Sequence, residues 1–205
     1  MSLEIEKRFK KFDYKTLRDK FDKLNIIKDG GELFKVSAFV PVKKNQMIRT
    51  RNEGNKITFT IKEGTDTYDK EWEVVVSDQE MMDEMLNLLG INRAYSLEKF
   101  REKYKYKNSE LVFDHYPGLP PYLEIESPNE DELNDLIQKL ELKDENFSAR
   151  DLYYDLYGIS KDRENTDLLF NNVLELFEPY IQFNKDKFIK LVQHQKTFIE
   201  KYKNK

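Results

Sequence analysis

The sequence predicts an α+β protein built on a closed eight-stranded antiparallel β-barrel with a charged lumen, surrounded by helices and extended by a helical C-terminal segment. Three observations predict this fold. Eight short segments in residues 1–127 alternate apolar and polar residues with the period of two that is typical of strands. The charges on these segments are sorted by sign from one strand to the next. After Ser127, apolar residues recur three or four positions apart, which indicates helices.

The strands and the helices between them are predicted in chain order from this alternation and from turn and cap residues. The predicted strands are Leu3–Phe9, Leu33–Val40, Met47–Arg51, Lys56–Lys62, Lys70–Val76, Leu97–Lys105, Leu111–His115 and Tyr122–Ser127. Tyr14–Leu24 is predicted to be a short helix, and Asp78 is predicted to cap another that ends at Leu89. The pair Gly30-Gly31 is predicted to form a turn. Eight antiparallel strands can close into a barrel, which leaves no unpaired edge.

The C-terminal part of the chain is predicted to be helical. The predicted helices run from Asn129 or Ser127 through Leu140, and over Ala149–Tyr157, Thr166–Tyr180 and Lys185–Lys203. We therefore divide the chain into a barrel domain, 1–158, and a C-terminal extension, 159–205. The last two helices could cover one mouth of the barrel, pack beside it or mediate a homodimer.

Composition excludes several classes of site. The chain has no cysteine and only two histidines, so zinc–thiolate sites, cysteine nucleophiles and multi-histidine metal sites are excluded. Any metal must use oxygen ligands, which favours Mg²⁺, Mn²⁺ or Ca²⁺. The net charge of −4 argues against a generic nucleic-acid binder. Since the sequence shows neither a signal peptide nor a run of roughly 20 apolar residues, we expect a soluble, cytoplasmic protein without membrane contact.

The sorted charges allow two interpretations. A charged strand face is most often a solvated surface, and each strand alone is compatible with that. Taken together, however, the first, fifth and eighth strands are acidic on one face, whereas the third, fourth and sixth are basic. In a closed barrel these faces would line the lumen. Clustered carboxylates would then need a cation, and clustered arginines and lysines an anion; a divalent metal bound to a polyphosphate satisfies both.

The motifs that carry these charges resemble those of the CYTH domain family, which belongs to the triphosphate tunnel metalloenzymes. The signature Glu-x-Glu-x-Lys of that family corresponds to Glu4-Ile5-Glu6-Lys7-Arg8. The basic strands of the family correspond to Arg49-Thr50-Arg51, Thr58–Lys62 and Lys99-Phe100-Arg101. Its closing acidic strands correspond to Asp114, followed by Gly118, and to Leu123-Glu124-Ile125-Glu126. Its C-terminal helix corresponds to Arg150–Leu156. The resemblance spans residues 4 to about 158.

The resemblance implies hydrolysis of a bound triphosphate with Mg²⁺ or Mn²⁺, and it implies a role for each charged residue. The expected catalytic residues are Glu4, Glu6, Arg8 and Glu124. The expected metal ligands are Glu4, Glu6, Asp114, Glu124 and Glu126. The expected triphosphate-binding residues are Arg8, Lys35, Arg49, Arg51, Lys62, Lys99, Arg101 and Lys103. Glu71 and Glu73 could bind metal or orient their basic neighbours.

Position 8 departs from the family pattern, because arginine stands where relatives have a lysine. Arginine is hard to deprotonate, so Arg8 is better suited to holding phosphate than to activating a nucleophile. Three alternatives stay open. A class IV-type adenylate cyclase would use the same triphosphate and metals to make cyclic AMP from ATP. An RNA 5′-triphosphatase is less favoured by the acidic composition, and a polyphosphate- or nucleotide-binding module would lack turnover.

Overall fold

The fold is seen in a computed structural model that describes residues 5–65, 68–143, 147–160 and 167–203. Its strands are β1 (Ile5–Phe9), β2 (Ile27–Phe39), β3 (Gln46–Asn52), β4 (Ile57–Thr65), β5 (Tyr68–Val76), β6 (Arg93–Tyr106), β7 (Ser109–His115) and β8 (Tyr122–Ser127). Its helices are α1 (Tyr14–Lys23), α2 (Gln79–Leu88), α3 (Glu130–Leu140), α4 (Ala149–Tyr157), α5 (Val173–Phe177) and α6 (Lys185–Lys203). The predicted α+β class is confirmed.

All eight strands belong to one antiparallel sheet, in the order β1-β8-β7-β6-β2-β3-β4-β5. The two outer strands are β1 and β5, and within the described ranges no strand pairing joins them. Closure of the barrel is therefore not confirmed. The sheet is nevertheless strongly curved, because side chains from all eight strands line one common cavity.

The helix cap predicted at Asp78 is confirmed, and Asn129, one of the two predicted starting residues of α3, is also a cap. The side chain of Asp78 accepts a hydrogen bond from the amide of Met81 at 2.9 Å, and that of Asn129 accepts one from the amide of Glu132 at 2.8 Å. Each cap satisfies an amide that helical hydrogen bonding leaves unpaired, which contributes about 1 kcal/mol. Among the described helices, none has the length and apolar character that a membrane span requires.

The hydrophobic core lies on the outer side of the curved sheet. Phe113 of β7 and Leu123 of β8 are fully buried there against Phe21 of α1 and Leu133 of α3. A second cluster joins the turn between β7 and β8 to α4, α5 and α6, with Phe188 at its centre. Since the apolar faces of the strands pack against helices, their charged faces are left to line the inner side.

The predicted turn at Gly30-Gly31 is wrong, because both glycines lie inside the long strand β2. The pairing between β2 and β6 changes register between Lys28 and Gly30, and Gly30 has φ +126°. This is a β-bulge, for which glycine is well suited. A Cβ atom on Gly31 would lie only 2.8 Å from the ring of Phe100. The glycines thus bend the strand and admit a close neighbour, and pairing continues on both sides.

The predicted helix over Thr166–Tyr180 is also wrong. Only Val173–Phe177 is α-helical, and a short 3-10 turn, Glu178–Tyr180, follows it. Thr166 lies outside the described residues. Leu168 forms a parallel bridge with Leu97 of β6, and residues 170–172 then form a turn that leads into α5. The apolar spacing of this segment reflects packing of a short helix and an extended stretch onto the second cluster.

Candidate active site

One cavity of about 840 Å³ occupies the inner side of the sheet, and we call it the charged cavity. Most of the residues that the sequence predicts for the site line it. These are Glu6, Arg8, Arg49, Arg51, Lys62, Lys99, Arg101, Lys103, Asp114, Glu124 and Glu126. Glu4 lies outside the described residues, so its predicted role stays a prediction. Glu71 also lines the cavity.

Lys35 is not among the cavity-lining residues, and β2 presents Phe34 to the cavity in its place. The pairing register explains the difference. Phe34 lies opposite Lys99 of β6, whereas Lys35 lies opposite Glu98. Residues directly opposite one another in an antiparallel pair share a face of the sheet. Sequence reasoning assigned the inner face of β2 from its charge, and the register that decides it cannot be read from one strand alone.

Phe34 is a cavity-lining residue that the sequence did not reveal, and it is surrounded by cations. Its ring is only 2% exposed. The ring centroid lies 5.5 Å from the Nζ atoms of Lys99 and Lys103, and 5.7 Å from the guanidinium carbons of Arg51 and Arg101. These distances are typical of cation–π interactions. Phe34 thus gathers four cations from two neighbouring strands without neutralising any of them.

Asp114 of β7 is completely buried and holds two of these cations. Its Oδ2 accepts a hydrogen bond from Lys99 Nζ at 2.8 Å, and its Oδ1 accepts one from Arg101 Nε at 2.7 Å. Burial alone would raise the pKa of Asp114, but Lys99 and Arg101 hold it well below its usual value. The contacts of Asp114 in this structure are therefore those of a residue that orients cations.

The acidic side of the cavity lies where β1 pairs with β8. In this pairing Glu6 is opposite Glu126, and Arg8 is opposite Glu124. Arg8 Nε donates a hydrogen bond to Glu124 Oε2 at 3.1 Å, and its guanidinium also forms an ion pair with Glu6. Burial, reinforced by the charge of Glu124, raises the pKa of Glu6 despite this contact with Arg8.

The basic side of the cavity is formed by β3 and β4. Lys62 Nζ contacts Glu71 at 2.7 Å, and Arg51 Nε contacts Glu53 at 2.7 Å. The Nε atoms of Arg49 and Arg51 are both buried, and neither has a hydrogen-bond partner within the described part of the chain, so the contact between Arg51 and Glu53 is an ion pair only. Burial and the neighbouring charge of Arg51 lower the pKa of Arg49. A buried N–H donor without a partner is costly, and an anion in the cavity would accept its hydrogen bond.

The chemistry of the carboxylates suits a hard divalent cation, although their present arrangement is not that of a metal centre. Glu6, Glu124 and Glu126 present oxygen ligands, and the pKa of Glu6 is raised by burial and by the charge of Glu124, both of which a bound cation would offset. In the described ranges, no group of three or more Asp, Glu or His side chains is placed to hold a metal ion. Arg8 instead bridges Glu6 and Glu124. The predicted metal site stays a prediction.

Comparisons with known proteins give one family and one fold. The family model of the CYTH domain matches residues 34–152. The PH1012 protein from Pyrococcus horikoshii OT3 is 25% identical, with a TM-score of 0.62, over 73% of this chain and 99% of that chain. A candidate adenylate cyclase from Vibrio parahaemolyticus is 13% identical, with a TM-score of 0.60, over 74% of this chain and 97% of its own. No match was found among curated proteins.

Proposed function

This chain belongs to the CYTH domain family, and we propose that it binds a triphosphate in the charged cavity and hydrolyses it with the help of Mg²⁺ or Mn²⁺. The observation that carries the proposal is the pair of neighbouring arginines Arg49 and Arg51, whose buried Nε atoms both lack a hydrogen-bond partner among the described residues. Two adjacent arginines in one cavity repel each other unless an anion lies between them. Phosphate oxygens match the planar fork of a guanidinium group.

The cations of the cavity would bind the phosphate chain together, since β3 and β6 are the two strands that flank β2. Arg49, Arg51 and Lys62 approach from β3 and β4, whereas Lys99, Arg101 and Lys103 approach from β6. Hydrolysis of a phosphoanhydride depends mainly on positioning and on compensating negative charge, which such a set of fixed cations supplies. Asp114 would keep Lys99 and Arg101 in place as the phosphate chain enters.

Arg8 would bind phosphate oxygens and would not serve as a proton acceptor. Although burial opposes it, the charges of Glu6 and Glu124 raise the pKa of Arg8. A guanidinium stays protonated under all physiological conditions. On triphosphate binding, we expect Arg8 to exchange its contacts with the two carboxylates for contacts with phosphate, which would free Glu6 and Glu124.

The freed carboxylates are the proposed ligands of the divalent metal. Glu6, Glu124 and Glu126 would hold Mg²⁺ or Mn²⁺ together with the phosphate chain, and Glu4 would extend this set. When bound, the metal would neutralise charge on the phosphate oxygens and polarise the phosphorus. Mg²⁺ is commonly held by a few carboxylates and substrate phosphates, which is consistent with the incomplete ligand set of the protein alone.

Closure of the barrel belongs to the same proposal. The acidic strand β1 and the strand β5, with Glu71, are the two outer strands of the sheet in the described part of the chain. A triphosphate and metal that contact both sides of the cavity would draw these strands together. Hydrogen exchange should then show stronger protection of the β1 and β5 amides in the presence of triphosphate and Mg²⁺ than in their absence; unchanged protection would contradict closure.

The function is tested by incubating the protein with ATP and, separately, inorganic triphosphate, each with Mg²⁺ or Mn²⁺, and by resolving the products chromatographically. Orthophosphate together with ADP or pyrophosphate would support the triphosphatase. Cyclic AMP with pyrophosphate would replace it with the cyclase. Saturable binding without turnover would identify a binding module, and absence of both binding and turnover would refute the proposal.

The assignment of the acidic residues is tested by the variants Glu6→Gln and Glu124→Gln. Each removes a carboxylate charge from the cavity with almost no change in size. We expect turnover to fall by about a hundredfold or more in each, while the fold is retained, because charge compensation at the phosphate is lost. The matched control Glu84→Gln changes an exposed glutamate of α2. Full activity in both cavity variants would contradict the assignment.

A further inference from the structure

The charged cavity changes character along β6. Tyr95 and Leu97 line it at one end, and Lys99, Arg101 and Lys103 line it further along the same strand. Alternate residues of a strand face the same side and are about 7 Å apart. A largely apolar compartment therefore lies directly beside the cations that would bind phosphate, and Arg150 of α4 borders it, with its guanidinium carbon 5.4 Å from the centroid of the Tyr95 ring.

The far side of this apolar compartment is supplied by the C-terminal extension. Ile159, Leu168 and Phe177 line the cavity there. All three lie beyond residues 34–152, which the CYTH domain model matches. The PH1012 protein, which is matched over nearly its whole length, corresponds to only 73% of this chain. This apolar wall is thus an addition to the matched domain.

Leu168 is held against β6 by backbone hydrogen bonds. Its amide donates to the carbonyl of Ser96 at 2.8 Å, and its carbonyl accepts from the amide of Glu98 at 2.8 Å. The side chain of Asp167 accepts from the amide of Ser96 at 2.6 Å, and that of Glu98 accepts from the amide of Phe170 at 3.0 Å. The position of the wall is therefore fixed relative to Leu97 and Lys99.

A bare inorganic triphosphate would gain nothing from this wall. Its charged oxygens prefer water or cations to apolar side chains, and burial beside Leu97 and Leu168 would cost hydration. An organic group esterified to the terminal phosphate would instead bury its apolar surface there while the phosphates reach Lys99 and Arg101.

We propose that the C-terminal extension makes the charged cavity selective for triphosphate esters that carry an apolar or aromatic organic group. Leu168, together with Ile159 and Phe177, forms the wall against which that group packs. This inference rests on the proposed function, because it assumes that the phosphates occupy the cationic part of the cavity.

The test compares the binding of two non-hydrolysable ligands, imidotriphosphate and its phenyl ester, by calorimetry with Mg²⁺ present. The wild-type protein should bind the phenyl ester about tenfold more tightly than the bare compound. Leu168→Ala should reduce this preference to about twofold or less. The matched control is Leu174→Ala, because Leu174 packs against the same hydrophobic cluster as Leu168 and does not line the cavity; its preference should be that of the wild type.

A second variant, Leu168→Phe, keeps the inference testable if Leu168→Ala fails to fold. Leu168→Phe fills the compartment, so it should weaken binding of the phenyl ester at least fivefold while leaving binding of imidotriphosphate unchanged. If the wild type shows no preference, or if the preference persists in both Leu168 variants, the inference is overturned while the proposed function stands. If neither ligand binds the wild type, the proposed function fails as well.

Discussion

At the scale of single residues, Phe34 shows how an apolar side chain can serve a charged site. An acidic residue at its position would neutralise the surrounding cations, and an aliphatic one would not attract them. The aromatic ring attracts Lys99, Lys103, Arg51 and Arg101 through its quadrupole and leaves their full charge available. The ring therefore stabilises the empty cavity without competing with phosphate.

We expect Phe34→Leu to lower the free energy of unfolding by about 2 kcal/mol at low salt, because both packing and cation–π attraction are lost. Added sodium chloride screens interactions between charges. The difference in free energy of unfolding between Phe34→Leu and the wild type, measured by urea unfolding, should therefore be smaller at high salt. The control is Phe113→Leu, since the ring of Phe113 is fully buried among aromatic residues. Equal salt dependence of the two variants would contradict the role of Phe34.

A second residue of interest, Glu102, lies on the outer face of β6 and is 3% exposed. Its carboxylate accepts hydrogen bonds from Tyr14 at 2.6 Å, Lys28 at 3.0 Å and Tyr104 at 3.1 Å, and His115 Nε2 lies 3.0 Å away. Burial opposes ionisation, but these hydrogen bonds, led by His115, hold the pKa of Glu102 well below its usual value.

The stability that Glu102 provides should depend on pH. An unfolded glutamate has a pKa of about 4.3. Because the folded pKa lies lower, the contribution is complete above about pH 5 and is lost as the pH falls toward the folded value. Glu102→Gln should thus lower the free energy of unfolding by about 2 kcal/mol at pH 7, and by less below about pH 4. The exposed Glu84→Gln should have little effect, and a deficit independent of pH would contradict this account.

At the scale of elements, the strands were more predictable from the sequence than their orientation. Period-two alternation located all eight, because a strand that is buried on one face needs it. The inward face of β2 was not predictable, since it depends on pairing with Lys99 across the sheet. The segment around Leu168 was not predictable either, because apolar residues that meet β6 in an extended stretch can have the spacing of a helix.

Helix α6 is anchored to the turn between β7 and β8 by one buried side chain. Gln195 accepts a hydrogen bond from the amide of Gly118 at 2.7 Å and donates to the carbonyls of Leu119 at 2.9 Å and Tyr116 at 3.0 Å. Space there is tight, since a Cβ atom on Gly118 would lie 2.3 Å from the ring of Phe188. This contact joins the extension to the edge of the charged cavity.

Gln195→Leu should leave several buried backbone groups unpaired and lower the free energy of unfolding by about 3 kcal/mol. The matched control is Gln193→Leu, which changes an exposed glutamine of the same helix. Urea unfolding measures the difference, and limited proteolysis should show earlier cleavage within the extension of the Gln195 variant. Equal stability of the two variants would show that the anchor is not needed.

At the scale of the whole molecule, the nearly balanced net charge conceals a strong separation. The carboxylates of β1 and β8 lie on one side of the charged cavity, and the arginines of β3 lie on another. Burial, reinforced by a neighbouring like charge, raises the pKa of Glu6 and lowers the pKa of Arg49, so keeping both groups charged lowers stability. A bound metal and phosphate chain would relieve both sides at once.

Metal and triphosphate should therefore stabilise the fold cooperatively. With inorganic triphosphate and Mg²⁺ each well above its dissociation constant, the Tm should rise by about 5–10 °C, and by more than the sum of the two separate shifts. Arg49→Met should remove most of the rise in Tm that triphosphate causes. Arg93→Met, which changes an exposed residue outside the cavity, should keep it. Strictly additive shifts in the wild type would contradict a shared site.

The pairing of Leu168 with Leu97 also has a consequence for biosynthesis. Domains generally fold as the N-terminal part of the chain emerges from the ribosome. By the time β8 has emerged, the acidic and cationic strands are complete, whereas the segment that covers the apolar end of β6 has yet to emerge. A nascent chain at that stage would present an open cavity with the charges in place, and discrimination between ligands would be acquired only as the last part of the polypeptide docks.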